Sequence, residues 1–237
     1  MRDQLRVGIV VFPGSNCDRD VAYVTGDVLG WPTQFLWHEE THIADYDLIV
    51  LPGGFSFGDY LRCGAIARFS PIMAAVQSHA AAGKWVLGIC NGFQILTEAK
   101  LLPGALVRNR DLHFICDRVY LRLEAKHRPW LQGYGDRDVI QLPIAHGEGC
   151  YYADPDTLTE LEVNQQILFR YANANGEVTA ASNPNGSLNN IAGICNRAGN
   201  VVGMMPHPER AADSSLNHSP SRHTVDGLQL FKSLLGC

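Results

Sequence analysis

The stretch that most restricts what this chain can become runs from Lys84 to Leu96: a short apolar run, a cysteine between two glycines, and the start of a new apolar period. Residues 85–89 fit a strand buried on both faces, while Phe93, Leu96 and Ala99 recur at helical spacing. A strand that becomes a helix across Gly88-Ile89-Cys90-Asn91-Gly92 leaves Cys90 at the tip of a tight bend, because the glycines permit close approach and strained dihedrals. Such a bend lies at the carboxyl end of a sheet and the positive end of a helix dipole, where a thiolate is favoured. The pattern copies a G-x-S-x-G elbow with sulfur in place of oxygen. Taken alone, it fits a small buried core cysteine equally well.

Around this stretch strand and helix alternate. Residues 5–12, 33–37 and 47–51 read as strands, and 19–29 and 66–82 as helices, the second broken near Ser70-Pro71. Ser15-Asn16-Cys17-Asp18 supplies helix-capping chemistry after the Pro13-Gly14 stop. The spacing predicts βαβ units and a parallel sheet, with ligands beyond the carboxyl ends of its strands. From Pro103 onward the texture turns to β: residues 119–123, 139–145 and 167–172 are strands, and 191–196 with 200–205 form a hairpin. Residues 211–223 read as a mobile loop and 225–235 as a closing helix. The expected fold is therefore one α/β domain over 1–237, a mostly parallel central sheet flanked by helices, with an added antiparallel β region in the second half.

At 237 residues, 46% hydrophobic, the chain is long enough for a full core. A net charge of −5 leaves no basic surplus, which argues against nucleic acid or an anionic membrane as partner. The 7 cysteines (Cys17, Cys63, Cys90, Cys116, Cys150, Cys195, Cys237) contain no C-x-x-C pair and predict reduced thiols in a cytoplasmic protein. The apolar run before Pro13 is too short for a membrane span and lacks a cleavage site, and no later stretch is a transmembrane candidate.

A thiol nucleophile needs a base, and the base needs a group that holds its ring. His207 precedes a proline, which pushes it toward an extended conformation, where residues two apart share a side. Glu209 is then placed to receive one ring N–H and leave the other nitrogen for Cys90, although His207 by itself also reads as a turn histidine. For a developing oxyanion, the backbone N–H of Asn91 and those of the Gly53-Gly54 turn are the candidate donors. Two further matches compete. Gly54-Phe55-Ser56-Phe57-Gly58 is a literal G-x-S-x-G, but Gly53 opens the turn a residue early and Gly64 interrupts the segment after it. His38-Glu39-Glu40-Thr41-His42 is a literal H-E-x-x-H, yet it is squeezed between two strands with no room for the helix that zinc binding needs. No metal site is expected.

The blocks Pro52 to Asp59, Gly88 to Gln94 and Met205 to Glu209 together resemble the triad-type (class I) glutamine amidotransferases, a flavodoxin-like family. Pro13 to Asp18, His146-Gly147-Glu148-Gly149 and Asn183 to Ser187 narrow the resemblance to the glutaminase subunits that serve purine biosynthesis. The resemblance implies that Cys90 attacks the side-chain amide of glutamine, His207 shuttles the proton, and Glu209 orients His207. It implies an oxyanion held by backbone around Gly53, Gly54 and Asn91, with Gln94 close to the substrate. It implies no cofactor in this chain, with ATP and magnesium used on a separate large synthetase subunit that receives the ammonia, and a small third subunit in the same complex. His146 to Gly149, a glycine-flanked His and Glu on a loop, reads equally as part of the docking surface or as a plain polar turn. The alternatives are a glutaminase subunit of another pathway, a free-standing cysteine hydrolase on the same fold, and a non-enzymatic docking protein.

Overall fold

The computed structural model describes residues 4–216 and 225–236, and one nine-stranded sheet runs through both halves of the chain. Its first part is parallel: β2 (Thr33–Trp37), β1 (Val7–Val11), β3 (Leu48–Leu51) and β4 (Trp85–Ile89) lie side by side in that order. β1, β3 and β4 are rich in Val, Ile and Leu, and β3 is buried at every position, as a strand covered on both faces must be, while the edge strand β2 is half exposed. β11 (Val201–Met204) pairs parallel with β4, completing the flavodoxin-like order. From β11 the same sheet continues antiparallel through β10 (Ile191–Cys195), β9 (Ile167–Ala172), β6 (Ile115–Leu123) and β7 (Val139–His146). The expected antiparallel region is thus an extension of the central sheet, with β11 belonging to both parts.

The register of β11 on β4 places the site. Gly203 faces Gly88 and Met204 faces Ile89, and the Cys90 N–H donates to the Met204 carbonyl at 2.8 Å. Both strands end at the same edge, so the segment after Met204 and the bend after Ile89 emerge together.

Helices cover the sheet: α1 (Asp18–Ala22), α2 (Ile72–Ala81), α3 (Asn91–Glu98), α4 (Pro129–Gln132), α5 (Pro155–Val163) and α6 (Asp226–Ser233). The helix expected over 19–29 is α-helical only in α1 and continues as a π-helix over Tyr23–Val28. There the Thr25 hydroxyl donates to the Val21 carbonyl at 2.9 Å, competing with the backbone ladder. Cys17 precedes α1 without a side-chain cap; the Ser15 hydroxyl instead accepts from the Phe12 N–H at 3.1 Å and closes the turn after β1. α5 went unrecognised in the sequence, although Asp154 caps it through the Thr157 N–H at 2.9 Å and Pro155 opens it. The small antiparallel pair β5 (Ala105–Val107) and β8 (Cys150–Tyr152) was also missed. The loop expected over 211–223 contains a 3-10 turn at Ser214–Leu216, and residues 217–223 of it lie outside the described residues.

α3 is pressed onto β3, β4 and β11 by the absence of side chains. A Cβ on Gly92 would lie 1.9 Å from the Leu51 carbonyl oxygen, and one on Gly203 2.1 Å from Phe93 Cδ2. Gly92→Ala therefore forces α3 off the sheet, with an expected loss of about 3 kcal/mol of stability. Equilibrium denaturation in urea measures it, and a midpoint equal to that of the unsubstituted protein would contradict this packing.

Candidate active site

Cys90 stands between β4 and α3 with φ 51° and ψ −105°, a left-handed conformation that costs a non-glycine residue strain. The bend survives because Gly88 and Gly92 have no side chains: a Cβ on Gly88 would lie 2.6 Å from the Gly92 carbonyl oxygen. The Cys90 carbonyl accepts from the Phe93 and Gln94 N–H groups, fixing the first turn of α3, and the thiol lies 3.7 Å from the Ala145 carbonyl oxygen. The sulfur is thereby held at the helix N-terminus, where the dipole favours negative charge.

His207 is extended, at φ −104° and ψ 90°, as its following proline requires, and its N–H donates to the Pro143 carbonyl at 2.8 Å. Glu209 reaches it by a different route from strand alternation. Pro208 starts a 3-10 turn, Pro208–Ala211, which brings the Glu209 carboxylate back to His207, with Oε1 2.6 Å from Nδ1. α6 backs this turn, since Gly227 lies so close to Pro208 that a Cβ would be 1.9 Å from its carbonyl oxygen. Both side chains are buried, 1% and 3% exposed, and His207 Nε2 and Glu209 Oε2 have no hydrogen-bond partner. Burial alone would push the His207 ring toward its neutral form; the Glu209 carboxylate and the Cys90 and Cys17 thiols overcome it and raise its pKa well above the ordinary histidine value. These two thiols act on the ring from within the same cleft, and Nε2 is the nitrogen left free for them. His146, at the end of β7, is driven the other way, down to about 4, by burial and by the charge of His207.

The cleft has a volume of about 200 Å³, at the small end for a binding site and suited to an amino-acid-sized molecule. Cys90, His207, Gly54 and Gln94 line it, and Gly53, Asn91 and Glu209 lie close to these residues along the chain without contributing to its lining. The Gly53 carbonyl accepts from the Asn16 and Cys17 N–H groups, at 3.4 and 3.2 Å, which ties the Gly53-Gly54 turn to the segment before α1. Gly54 takes φ 144°, and its would-be Cβ would lie 2.8 Å from Ser15 Cα, so only glycine fits there. The Asn91 side chain accepts from the Ser56 N–H at 3.1 Å and donates to Gln94 Oε1 at 2.9 Å, and Gln94 Nε2 donates to the Glu148 carbonyl at 2.6 Å. These bonds tie α3 to two loops of the cleft wall.

His146 to Gly149, read as a docking surface or a polar turn, belongs to that wall. His146 is buried with Nδ1 3.1 Å from Asn109 Oδ1, and Gly147 and Glu148 line the cleft. Ser56 of the G-x-S-x-G match is 2% exposed inside a 3-10 turn, Ser56–Asp59, with φ 53° at Phe57, so no elbow forms. The H-E-x-x-H match is a turn after β2, where His38 packs against Trp37 and Phe57. Among the described residues, the grouping of Cys17, His207 and Glu209 brings a sulfur, a ring nitrogen and a carboxylate oxygen within 4.8 Å of one another. Its His207–Glu209 side is closed by the 2.6 Å hydrogen bond. Cys17, Asp59, Cys63 and Arg210, none of them expected in the site from the sequence, also line the cleft. Burial raises the Asp59 carboxyl, and burial together with the Asp59 carboxylate raises the Cys63 thiol.

The family described as CobB/CobQ-like glutamine amidotransferase domain matches residues 4–235. The phosphoribosylformylglycinamidine synthase subunit PurQ of Thermosynechococcus vestitus is 83% identical over 99% of this chain and 98% of its own length. That of Acaryochloris marina is 66% identical over 98% of this chain and 96% of its own. Among solved structures, a chain of PurLQS from Thermotoga maritima superposes with a TM-score of 0.84 at 39% identity, covering 98% of each chain. A glutamine amidotransferase from Thermotoga maritima, 16% identical with a TM-score of 0.60 over 98% of this chain and 96% of its own, shares the fold. Matched over nearly its whole length, the chain belongs to the CobB/CobQ-like glutamine amidotransferase family and, within it, to the PurQ subunits of phosphoribosylformylglycinamidine synthase.

Proposed function

We propose that this chain hydrolyses glutamine at Cys90 and passes the ammonia to a synthetase partner. The observation that carries the reading is the shared cleft: a strained cysteine at a helix N-terminus and a buried histidine held by a carboxylate at 2.6 Å. With its proton already on His207, the Cys90 sulfur adds to the carboxamide carbon, and the carbonyl electrons move onto oxygen. The N–H groups of Gly54 and Asn91 stabilise that oxyanion, with Gly53 shaping the turn that aims them. His207, kept protonatable by Glu209, gives its proton to the nitrogen as the C–N bond breaks, releasing ammonia and leaving a γ-glutamyl thioester. Water then adds to the thioester carbon, His207 takes its proton, and the thiol departs protonated as glutamate forms. Gln94 holds the cleft wall against which the substrate lies.

The domain of this chemistry spans the whole chain, and the chain uses no cofactor or metal of its own. ATP and magnesium act on the large synthetase subunit, and a small third subunit completes the assembly. The PurQ relatives and the PurLQS structure support these partners. Free ammonia is mostly protonated at neutral pH, so direct transfer to the partner keeps it nucleophilic. The compartment is the cytoplasm, a reading supported by free thiols at every described cysteine. No helix of the described residues is long and apolar enough to cross a membrane.

Glutamate release is expected to be weak for the chain alone and strong with the synthetase partner present. Cys90→Ala should lower it by about a thousandfold or more while the variant still folds; full activity in that variant would end the reading. Turnover of peptides or esters without a partner would indicate a free-standing hydrolase instead. Glu209→Gln tests the imidazole–carboxylate pair through stability. His207 has a raised pKa in the folded state, so the pair's contribution is fully present below the unfolded histidine value and lost as pH rises through the folded one. The urea midpoint of Glu209→Gln should therefore fall further below wild type at about pH 6 than at about pH 9. An equal deficit at both would contradict a charged His207.

A further inference from the structure

Cys17 is a buried thiol that the glutamine chemistry leaves unused, yet it stands against the catalytic histidine. It is 2% exposed, and a Cβ on Gly53 would lie 2.9 Å from both Cys17 Sγ and His207 Cε1, so the bare glycine is what lets the two side chains meet. Cys17 Sγ, a ring nitrogen of His207 and a carboxylate oxygen of Glu209 all lie within 4.8 Å of one another. Two neighbours fix the sulfur. Its S–H donates to Asn16 Oδ1 at 3.2 Å, and Arg210 Nη2 donates to it at 3.0 Å. Arg210 is anchored in turn, its Nε donating to Asp20 Oδ2 at 3.1 Å. With its single proton committed to Asn16, the sulfur has only lone pairs to offer the imidazole.

We propose that Cys17 is a positioning residue: its sulfur, oriented by Asn16 and Arg210, is an acceptor that stabilises the protonated His207 ring and holds it for transfer to the leaving nitrogen. The inference rests on the glutamine-cleaving reading and deepens it. The charged and titratable groups around His207 come from four directions. Glu209 and Arg210 lie on its own turn, Cys90 on the bend after β4, His146 at the end of β7, and Cys17 ahead of α1. Of these, Glu209, Cys90 and Cys17 each favour the protonated ring, and Cys17 is the one of the two thiols that takes no part in bond making.

The test uses the full chain with its synthetase partner, following glutamate release against pH. Cys17→Ala removes the acceptor, Cys17→Val removes it while nearly keeping the volume, and Cys17→Ser keeps an acceptor. In Cys17→Ala and Cys17→Val, kcat is expected to fall about tenfold with KM for glutamine within about twofold. The alkaline limb of the kcat/KM profile, where the imidazolium loses its proton, should move down by about one pH unit in both and return toward wild type in Cys17→Ser. A limb that stays in place in whichever of the two apolar variants folds overturns the proposal, as does a Cys17→Ser limb displaced as far as theirs. Cys90→Ala measured alongside separates the two levels. Retained glutaminase activity there sinks the glutamine reading itself, whereas an inactive Cys90→Ala beside unmoved Cys17 variants sinks only the role of Cys17.

Discussion

The pairing of β11 with β4 is the constraint on which the rest of the structure depends. Met204 opposite Ile89, and the Cys90 N–H on the Met204 carbonyl, bring together two segments that are remote in sequence. Without that parallel register the H-P-E turn would have no fixed relation to the cysteine bend. Because side chains alternate along a strand, a slip of one residue would also turn Val202 and Met204, both fully buried, to the opposite face. The register is therefore held by the core itself, and the site inherits its precision from the packing beneath it.

The same economy appears at each catalytic element. Cys90 keeps a costly backbone conformation because Gly88 and Gly92 let α3 settle against β3 and β4. His207 is buried, which disfavours its charged form, and Glu209 reverses that preference from a distance of 2.6 Å. Local strain and buried charge are both destabilising, and both sit where the sheet and α6 are rigid enough to hold them. His146, equally buried but without a carboxylate, is pushed down to about 4 and stays neutral near pH 7. Two histidines on one cleft thus acquire opposite proton affinities from their partners.

Much of this was legible in the residues. Short runs of apolar and β-branched or aromatic residues mark strands, and the edge strand at 33–37, the buried parallel strand at 85–89 and the buried antiparallel strand at 167–172 were read with the bounds the structure gives them. Cys90 was legible because glycine on each side has few other uses, and His207 with Glu209 because the intervening proline restricts the chain. Strand alternation was an incomplete reason for the second pair, since a 3-10 turn joins them. β6 was read too short because its first half, with Cys116 and Asp117 exposed, lacks apolar alternation. Cys17 and Arg210 were invisible for a different reason. Their meaning comes from a contact of 3.0 Å between residues 193 positions apart, which no local pattern records. The burial of His146 in the cleft wall was hidden for the same reason, because its glycine flanks suggest exposure and the Asn109 bonds that bury it are long-range.

The central claim is that one cleft joins the Cys90 sulfur to the His207 ring. Labelling the folded chain with a glutamine-like electrophile, followed by peptide mass spectrometry, tests this most directly. The account predicts a single modification on Cys90, with a rate that falls sharply when His207 is replaced by alanine. Label on another cysteine, or a Cys90 rate indifferent to the loss of His207, would contradict it.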